Sequence, residues 1–185
     1  MSAPITPPDR PRLPWDPPEH FEKRVPDGDN RERLVCGRCE FIHYQNPKVV
    51  AGAVCTWGDK ILLAKRAIEP RKGFWTLPAG YMELGETTAE GAQRETDEEA
   101  GAQIEMEPLF TVLSVPRVGQ VHMFFRARLL SDLFNPGHET IEAKLFGEDE
   151  IPWQDIAFRT VKETLERYFQ DRRAGRFLTH TFDIT

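Results

Sequence analysis

From Val49 onward, apolar positions recur at regular spacings that mark a folded domain. Val49 to Trp57 is an apolar strand candidate, Gly58-Asp59 is a two-residue hairpin signal, and Lys60 to Arg66 is the returning strand. Cys55 alternates into the apolar strand and is expected in the core. The stretch from Gly73 is turn-rich and carries Pro78, Gly80 and Gly85. Thr87-Thr88-Ala89-Glu90 fits a capping box, with Thr87 as N-cap, and predicts a helix to about Ala100 that stops at Gly101. Glu105 to Val115 is a strand region, and Arg117-Val118-Gly119 a turn. Val121, Met123, Phe125, Ala127 and Leu129 then recur at period two, which predicts one buried strand face with His122 on the other. Asn135-Pro136-Gly137 makes a turn and Ile141 to Phe146 a short strand. A second capping box, Thr160-Val161-Lys162-Glu163, opens a last helix that buries Val161, Leu165, Tyr168 and Phe169 and ends at Gly175. Hairpin strands with two separated helices predict an α+β fold, a mixed sheet sandwiched between helices.

The N-terminal part reads differently. Residues 1–18 hold seven prolines and little apolar material. Residues 1–34 are expected as a mostly extended arm, 35–47 as a Cys36-Gly-Arg-Cys39 knuckle with a linker, and 48–185 as the main domain. No apolar run approaches the roughly 18 residues of a membrane span, and no secretory signal is visible. The net charge of −6 disfavours a non-specific nucleic-acid binder. Three cysteines do not make a disulfide framework, so the expected location is cytoplasmic.

The richest chemistry lies in Arg94-Glu95-Thr96-Asp97-Glu98-Glu99. At about 100° per residue, Glu95, Glu98 and Glu99 fall within an arc of roughly 100° on one helix face. Carboxylates so close repel one another, and a divalent cation offsets that directly. Hard oxygen donors suit Mg²⁺ or Mn²⁺ rather than zinc. A charge run is ordinarily only a solvated face, but here a glycine-bearing loop leads into the helix. Glu86, Glu90 and Arg94 are expected to form an i, i+4, i+8 ladder pinning the helix start, with Arg94 bracing one carboxylate.

The whole segment runs Gly80, five residues, Glu86, seven residues, then Arg94-Glu95, Glu98-Glu99 and Gly101. It resembles the box of the Nudix hydrolase family at all seven fixed positions. Thr96 departs, standing where that family usually has an aliphatic residue, and slightly poorer packing is expected there. Tyr44-Gln45-Asn46-Pro47-Lys48, Phe74 to Gly80, Pro136 to Glu139, Ile141 to Phe146 and Ile151-Pro152-Trp153 resemble a zinc-ribbon-associated bacterial and plant subgroup of the family. That subgroup includes FAD, NADH and ADP-ribose pyrophosphatases.

The resemblance implies a Mg²⁺-dependent enzyme that hydrolyses the diphosphate of a nucleoside diphosphate linked to another moiety, giving two monophosphates. It implies Glu95, Glu98 and Glu99 as metal ligands, with a loop carbonyl from Gly80 or Ala79. Glu142 is the implied outlying ligand or general base, with Glu139 as second choice. Arg66, with Arg71 and Lys72, is a candidate for holding phosphates. Phe74, Trp75 and Tyr81 are candidates for stacking on a ring, although Trp75 beside Pro78 reads more readily as core packing. The subgroup's ribbon uses two C-x-x-C pairs; only Cys36/Cys39 is present, so zinc is not expected there. A small-molecule nucleotide is the expected partner, with no nucleic acid or membrane; a homodimer stays open. The alternatives are a nucleoside triphosphate pyrophosphohydrolase of the same fold and a non-catalytic nucleotide-sensing regulator. Retention of Glu95, Glu98 and Glu99 argues for catalysis.

Overall fold

The computed structural model describes residues 20–185, so the proline-rich stretch 1–18 lies outside the described residues. The chain divides into two units, residues 1–46 and 47–185. In the first, β1 (Phe21–Arg24), β2 (Arg33–Cys36) and β3 (Ile42–His43) form an antiparallel sheet in that order. Residues 21–24 and 33–34, placed in the extended arm by sequence, are therefore paired strands. Their shortness hides this, because each strand is four residues long and β1 is largely polar and half exposed. Asp29 organises the connecting loop: its carboxylate accepts hydrogen bonds from the backbone N–H of Asn30 and Arg31 and from Arg33 Nε.

The second unit holds β4 (Lys48–Trp57), β5 (Lys60–Arg66), β6 (Trp75–Thr76), β7 (Ala79–Tyr81), α1 (Thr88–Ala100), β8 (Ile104–Val115), β9 (Gln120–Leu129), β10 (Thr140–Phe146), α2 (Arg159–Ala174) and β11 (His180–Asp183). The strands make one mixed sheet in the order β10-β5-β4-β9-β8-β11, with β6 on β5 and β7 on β4. The central pair β4–β9 is parallel, as is β8–β11; the other pairs are antiparallel. The short β6 and β7 come from the turn-rich stretch after Gly73, and β11 had no sequence signature.

Alternate residues of β4 and β5 feed two separate cores. Val54, Ile61 and Leu63 pack with Val161, Leu165 and Phe169 of α2. Ala53, Cys55 and Leu62 pack with Ala100 at the end of α1. The sheet is covered on both sides, which gives the α+β sandwich its layers. This two-sided burial corrects the single buried face expected for β9. Ala127 and Leu129 enter one core, but Phe124, from the other face, is 1% exposed in the core against α2.

The helix ends also differ in one place. Thr87 caps α1 as expected, with the reciprocal bonds of a capping box, and Gly101 ends it in the left-handed conformation. α2 instead begins at Arg159 with Phe158 in the cap position and no side-chain cap bond. Thr160 lies inside the first turn, 4% exposed, and its hydroxyl is the one buried side-chain polar atom without a hydrogen-bond partner among the described residues. The sequence pattern fitted a capping box there, but packing of the first turn into the fold set the helix start two residues earlier.

Candidate active site

The site is organised by Arg94. Its guanidinium has five N–H donors in a fixed fork, and the structure gives it five bonds. Nε and Nη2 clasp Glu86 at 3.0 and 2.9 Å, Nη2 reaches the Tyr81 carbonyl at 3.1 Å, and Nη1 reaches Glu95 at 2.8 Å and Glu98 at 3.0 Å. The clasp holds the Glu86 carboxyl down at about 2. Arg94 thus ties the loop before α1 to two carboxylates on it. Glu90 is not part of this ladder. Its carboxylate bonds the Thr87 N–H within the capping box, a competing partner three residues away.

Glu95, Glu98 and Glu99 differ in environment although they share a helix face. Glu98 is more than half exposed. Glu95 is mostly covered, and burial raises its pKa against the opposing pull of Arg94. Glu99 is 8% exposed and accepts the Ala79 N–H at 3.1 Å, yet burial pushes its carboxyl up to about 8. A carboxylate whose charged form is disfavoured by burial, even with Arg66 pulling the other way, is chemically matched to a cation. Among the described residues no three acidic, His or Cys side chains are preassembled around one point; Glu95 and Glu98 are turned onto Arg94 instead.

Two glycines bring backbone to this helix. A Cβ on Gly80 would lie 2.3–2.4 Å from the carboxylate atoms of Glu95, so only glycine lets β7 pass beside that side chain. This puts the backbone of Gly80 and Ala79 against Glu95 and Glu99. A Cβ on Gly137 would meet the Glu98 carbonyl oxygen at 2.1 Å. That contact seats the loop carrying His138 and Glu139 on α1, and the charge of Glu139 is felt at both Glu95 and Glu99.

These groups line a cleft of about 650 Å³. Of the residues expected from sequence, Gly80, Arg94, Glu95, Glu98, Glu99, Arg66 and Tyr81 line it. The structure does not bring Glu142, Phe74 or Trp75 to the cleft wall. Glu142 is exposed on β10, paired with Lys65 beyond an irregularity in the register, and Glu139 lines the cleft in its stead. Trp75 is 8% exposed and stacks edge-on against Phe146 in the core, while Arg71 lies over Phe74. Thr96 is fully buried, and its hydroxyl bonds the Ala92 carbonyl at 2.8 Å, so the departure from the box leaves no orphaned polar group.

The rest of the lining was less legible. It includes Val50, Phe124, Phe158 and Thr160 with Gln120 and His122. Arg66 lies over the Phe158 ring at 5.1 Å and donates to the Pro70 carbonyl. Burial pushes His122 down to about 4. The only sequence signal here was the position of His122 on the strand face opposite the expected core. Phe158 and Thr160 are brought in by the path of the chain into α2.

Comparison with known proteins agrees with this geometry. The NUDIX domain family matches residues 46–168, and the Nudix N-terminal family of zinc-ribbon segments matches residues 19–45. A NUDIX hydrolase from Nitrosomonas europaea superimposes with a TM-score of 0.86 at 51% identity, covering 89% of this chain and 93% of that one. An ADP-ribose pyrophosphatase of Methanocaldococcus jannaschii is 32% identical over 113 residues, 59% of this chain and 67% of that protein. Human 8-oxo-dGDP phosphatase NUDT18 is 36% identical over 110 residues, 56% of this chain, and the NAD-capped RNA hydrolase NudC of Vibrio parahaemolyticus 30% over 125 residues, 67% of this chain. The matches span 33% and 48% of those two longer proteins. The domain match, the structural likeness across nearly the whole chain, and the glutamate-bearing helix behind a glycine loop together place this chain in the Nudix hydrolase family, as a Nudix-type pyrophosphatase.

Proposed function

We propose that this chain hydrolyses the diphosphate bond of a nucleoside diphosphate linked to a second moiety, with FAD, NADH and ADP-ribose as the substrate set, in a reaction dependent on Mg²⁺. The observation that carries this reading is the mixed lining of the cleft. Glu95, Glu98, Glu99 and Glu139 line it together with Val50, Phe124 and Phe158. Its volume falls within the roughly 300–1,000 Å³ of small-molecule sites, so it has room for a ring system as well as a diphosphate held by the acidic groups. The Methanocaldococcus relative, named for ADP-ribose, supports the same class.

Glu95, Glu98 and Glu99 with the backbone oxygen of Gly80 or Ala79 would hold the cation, an all-oxygen set that suits Mg²⁺ and admits Mn²⁺. Bound there, it would neutralise phosphate charge and lower the pKa of an attacking water. Arg94 positions Glu95 and Glu98 and fixes the loop at Tyr81. Glu139, from the loop seated on α1, is the carboxylate placed to accept the water's proton. That role passes to it from Glu142, which faces solvent on β10. Arg66 at the cleft rim offers charge to a phosphate, and Tyr81 a half-exposed ring.

The test is a competition assay at equal low substrate concentration with Mg²⁺, followed by product identification. AMP plus the partner monophosphate from FAD, NADH or ADP-ribose is the expected outcome. Preferential release of pyrophosphate from nucleoside triphosphates would overturn the substrate assignment and leave the metal site intact.

A further inference from the structure

On the cleft wall three side chains form a hydrogen-bonded chain. Gln120 Nε2 donates to the Tyr81 hydroxyl at 2.8 Å, and Gln120 Oε1 lies 2.9 Å from His122 Nε2. With the amide in this orientation its oxygen only accepts, so His122 Nε2 carries the proton. A neutral imidazole with its proton on Nε2 has an unprotonated acceptor at Nδ1. That nitrogen has no hydrogen-bond partner among the described residues and is not among their fully buried unpartnered atoms, and His122 lines the cleft. Desolvation keeps the ring neutral at pH 7. Phe158, half-buried just before α2, adds apolar ring surface to the same lining.

We propose that His122, held in one tautomer by Gln120 and Tyr81, is a specificity-determining residue that accepts a hydrogen bond from the exocyclic amine of an adenine-type ring in the substrate. This rests on the pyrophosphatase reading for its substrate but not for its chemistry. A ribose hydroxyl both donates and accepts, so it would pair with either tautomer and gain nothing from the lock. A locked acceptor discriminates only against a group that cannot donate, such as the 6-oxo group of hypoxanthine. Removing one neutral hydrogen bond of this kind changes affinity by about three- to tenfold.

The experiment uses the intact chain labelled with ¹⁵N-histidine. The imidazole nitrogens are read by NMR, alone and with AMP or IMP. The expected result is an Nε2–H neutral tautomer at His122, an Nδ1 signal that moves with AMP, and a smaller response to IMP at equal concentration. In parallel, kcat/KM is compared for ADP-ribose and its inosine counterpart. The adenine compound is expected to be favoured about three- to tenfold, carried in KM rather than kcat. His122→Leu should erase the preference, and His122→Asn, which can present an amide oxygen, should retain part of it. A proton on Nδ1, or equal responses to AMP and IMP in the unaltered protein, overturns the proposal. The NMR arm needs no turnover. If no dinucleotide were cut, the substrate reading would fall while the AMP-over-IMP comparison still decided the role of His122.

Discussion

Replacing Gly80 by alanine separates the part of the site that holds the fold from the part that does chemistry. Gly80 is not in the left-handed region, so its backbone conformation is open to alanine. Alanine in a compatible conformation stabilises by about 0.4–1 kcal/mol through the unfolded chain. Against this stands the new methyl, 2.3–2.4 Å from the Glu95 carboxylate. The obstacle is the end of a flexible side chain, so Glu95 can swing aside. Doing so stretches its 2.8 Å bond to Arg94, worth about 1 kcal/mol for a partly covered pair. The two effects nearly cancel, and stability should stay within about 1 kcal/mol of the parent. Activity has no such compensation. A displacement of about 1 Å in a positioning carboxylate costs on the order of 100-fold in rate, and Mg²⁺ dependence should shift to higher concentration. Thermal melts, steady-state rates and a Mg²⁺ titration on one preparation check both halves. Full turnover with unchanged Mg²⁺ dependence would refute the argument that Gly80 exists to make room for Glu95.

Further outcomes follow from the same geometry. Glu98→Gln should lower turnover at least ~100-fold with stability held, because it removes a charge from the cation set while disturbing only one partly exposed ion pair; near-normal rates at saturating Mg²⁺ would remove Glu98 from the site. Thr160→Val should raise stability by about 1 kcal/mol in urea unfolding, since a buried unpartnered hydroxyl carries a desolvation cost that an isosteric methyl does not; a loss of that size would mean the hydroxyl has a partner. His122, held near 4 in the fold against an ordinary 6.5, binds its proton more readily once unfolded, so its contribution is complete above pH 6.5 and is lost as pH falls toward 4. Allowing for its partial exposure, His122→Phe should flatten the stability–pH curve over that window by about 1–2 kcal/mol relative to the parent, and an identical slope in both proteins would contradict the burial argument. The purified protein should carry well under one zinc per chain, because a structural site takes four ligands and the chain offers one C-x-x-C pair; a stoichiometric zinc whose chelation unfolds the protein would show that other side chains complete the set.

The catalytic helix was legible because its instructions are local. Thr87 and Glu90 cap each other three residues apart, Gly101 stops the helix, and Glu95, Glu98 and Glu99 share a face by helix geometry alone. Nothing distant is needed to draw that face. Glu142 shows where this reasoning ends. Its role was implied by the family resemblance, but whether a residue near a strand start faces the cleft or solvent depends on the strand's register. β10 has an irregularity between Thr140 and Glu142, and one residue of slip turns a side chain to the other face. Glu139 escapes that ambiguity because it lies in the loop that Gly137 seats on α1.

The rest of the cleft lining was illegible for a related reason. Val50 and His122 come from neighbouring strands paired residue for residue, Phe158 and Thr160 from the start of α2, and Tyr81 from β7. Their meeting is set by the parallel β4–β9 pairing and the crossing of α2 over the sheet, neither of which has a short-range signature. The sequence marked His122 only as a polar residue opposite a buried face. Phe124 beside it turned out more deeply buried than most of the face thought to be inside, because the second helix covers that side. A sheet covered on both sides weakens the period-two signal on which strand reading depends. The residues proposed to hold the cation are therefore written into one helix and its loop, whereas those proposed to select what lies beyond the diphosphate are written into packing across the whole domain. Substitutions that retune substrate choice should accordingly fall at positions such as His122, Phe158 and Thr160, and leave the Arg94–Glu86 clasp and the glutamates of α1 untouched.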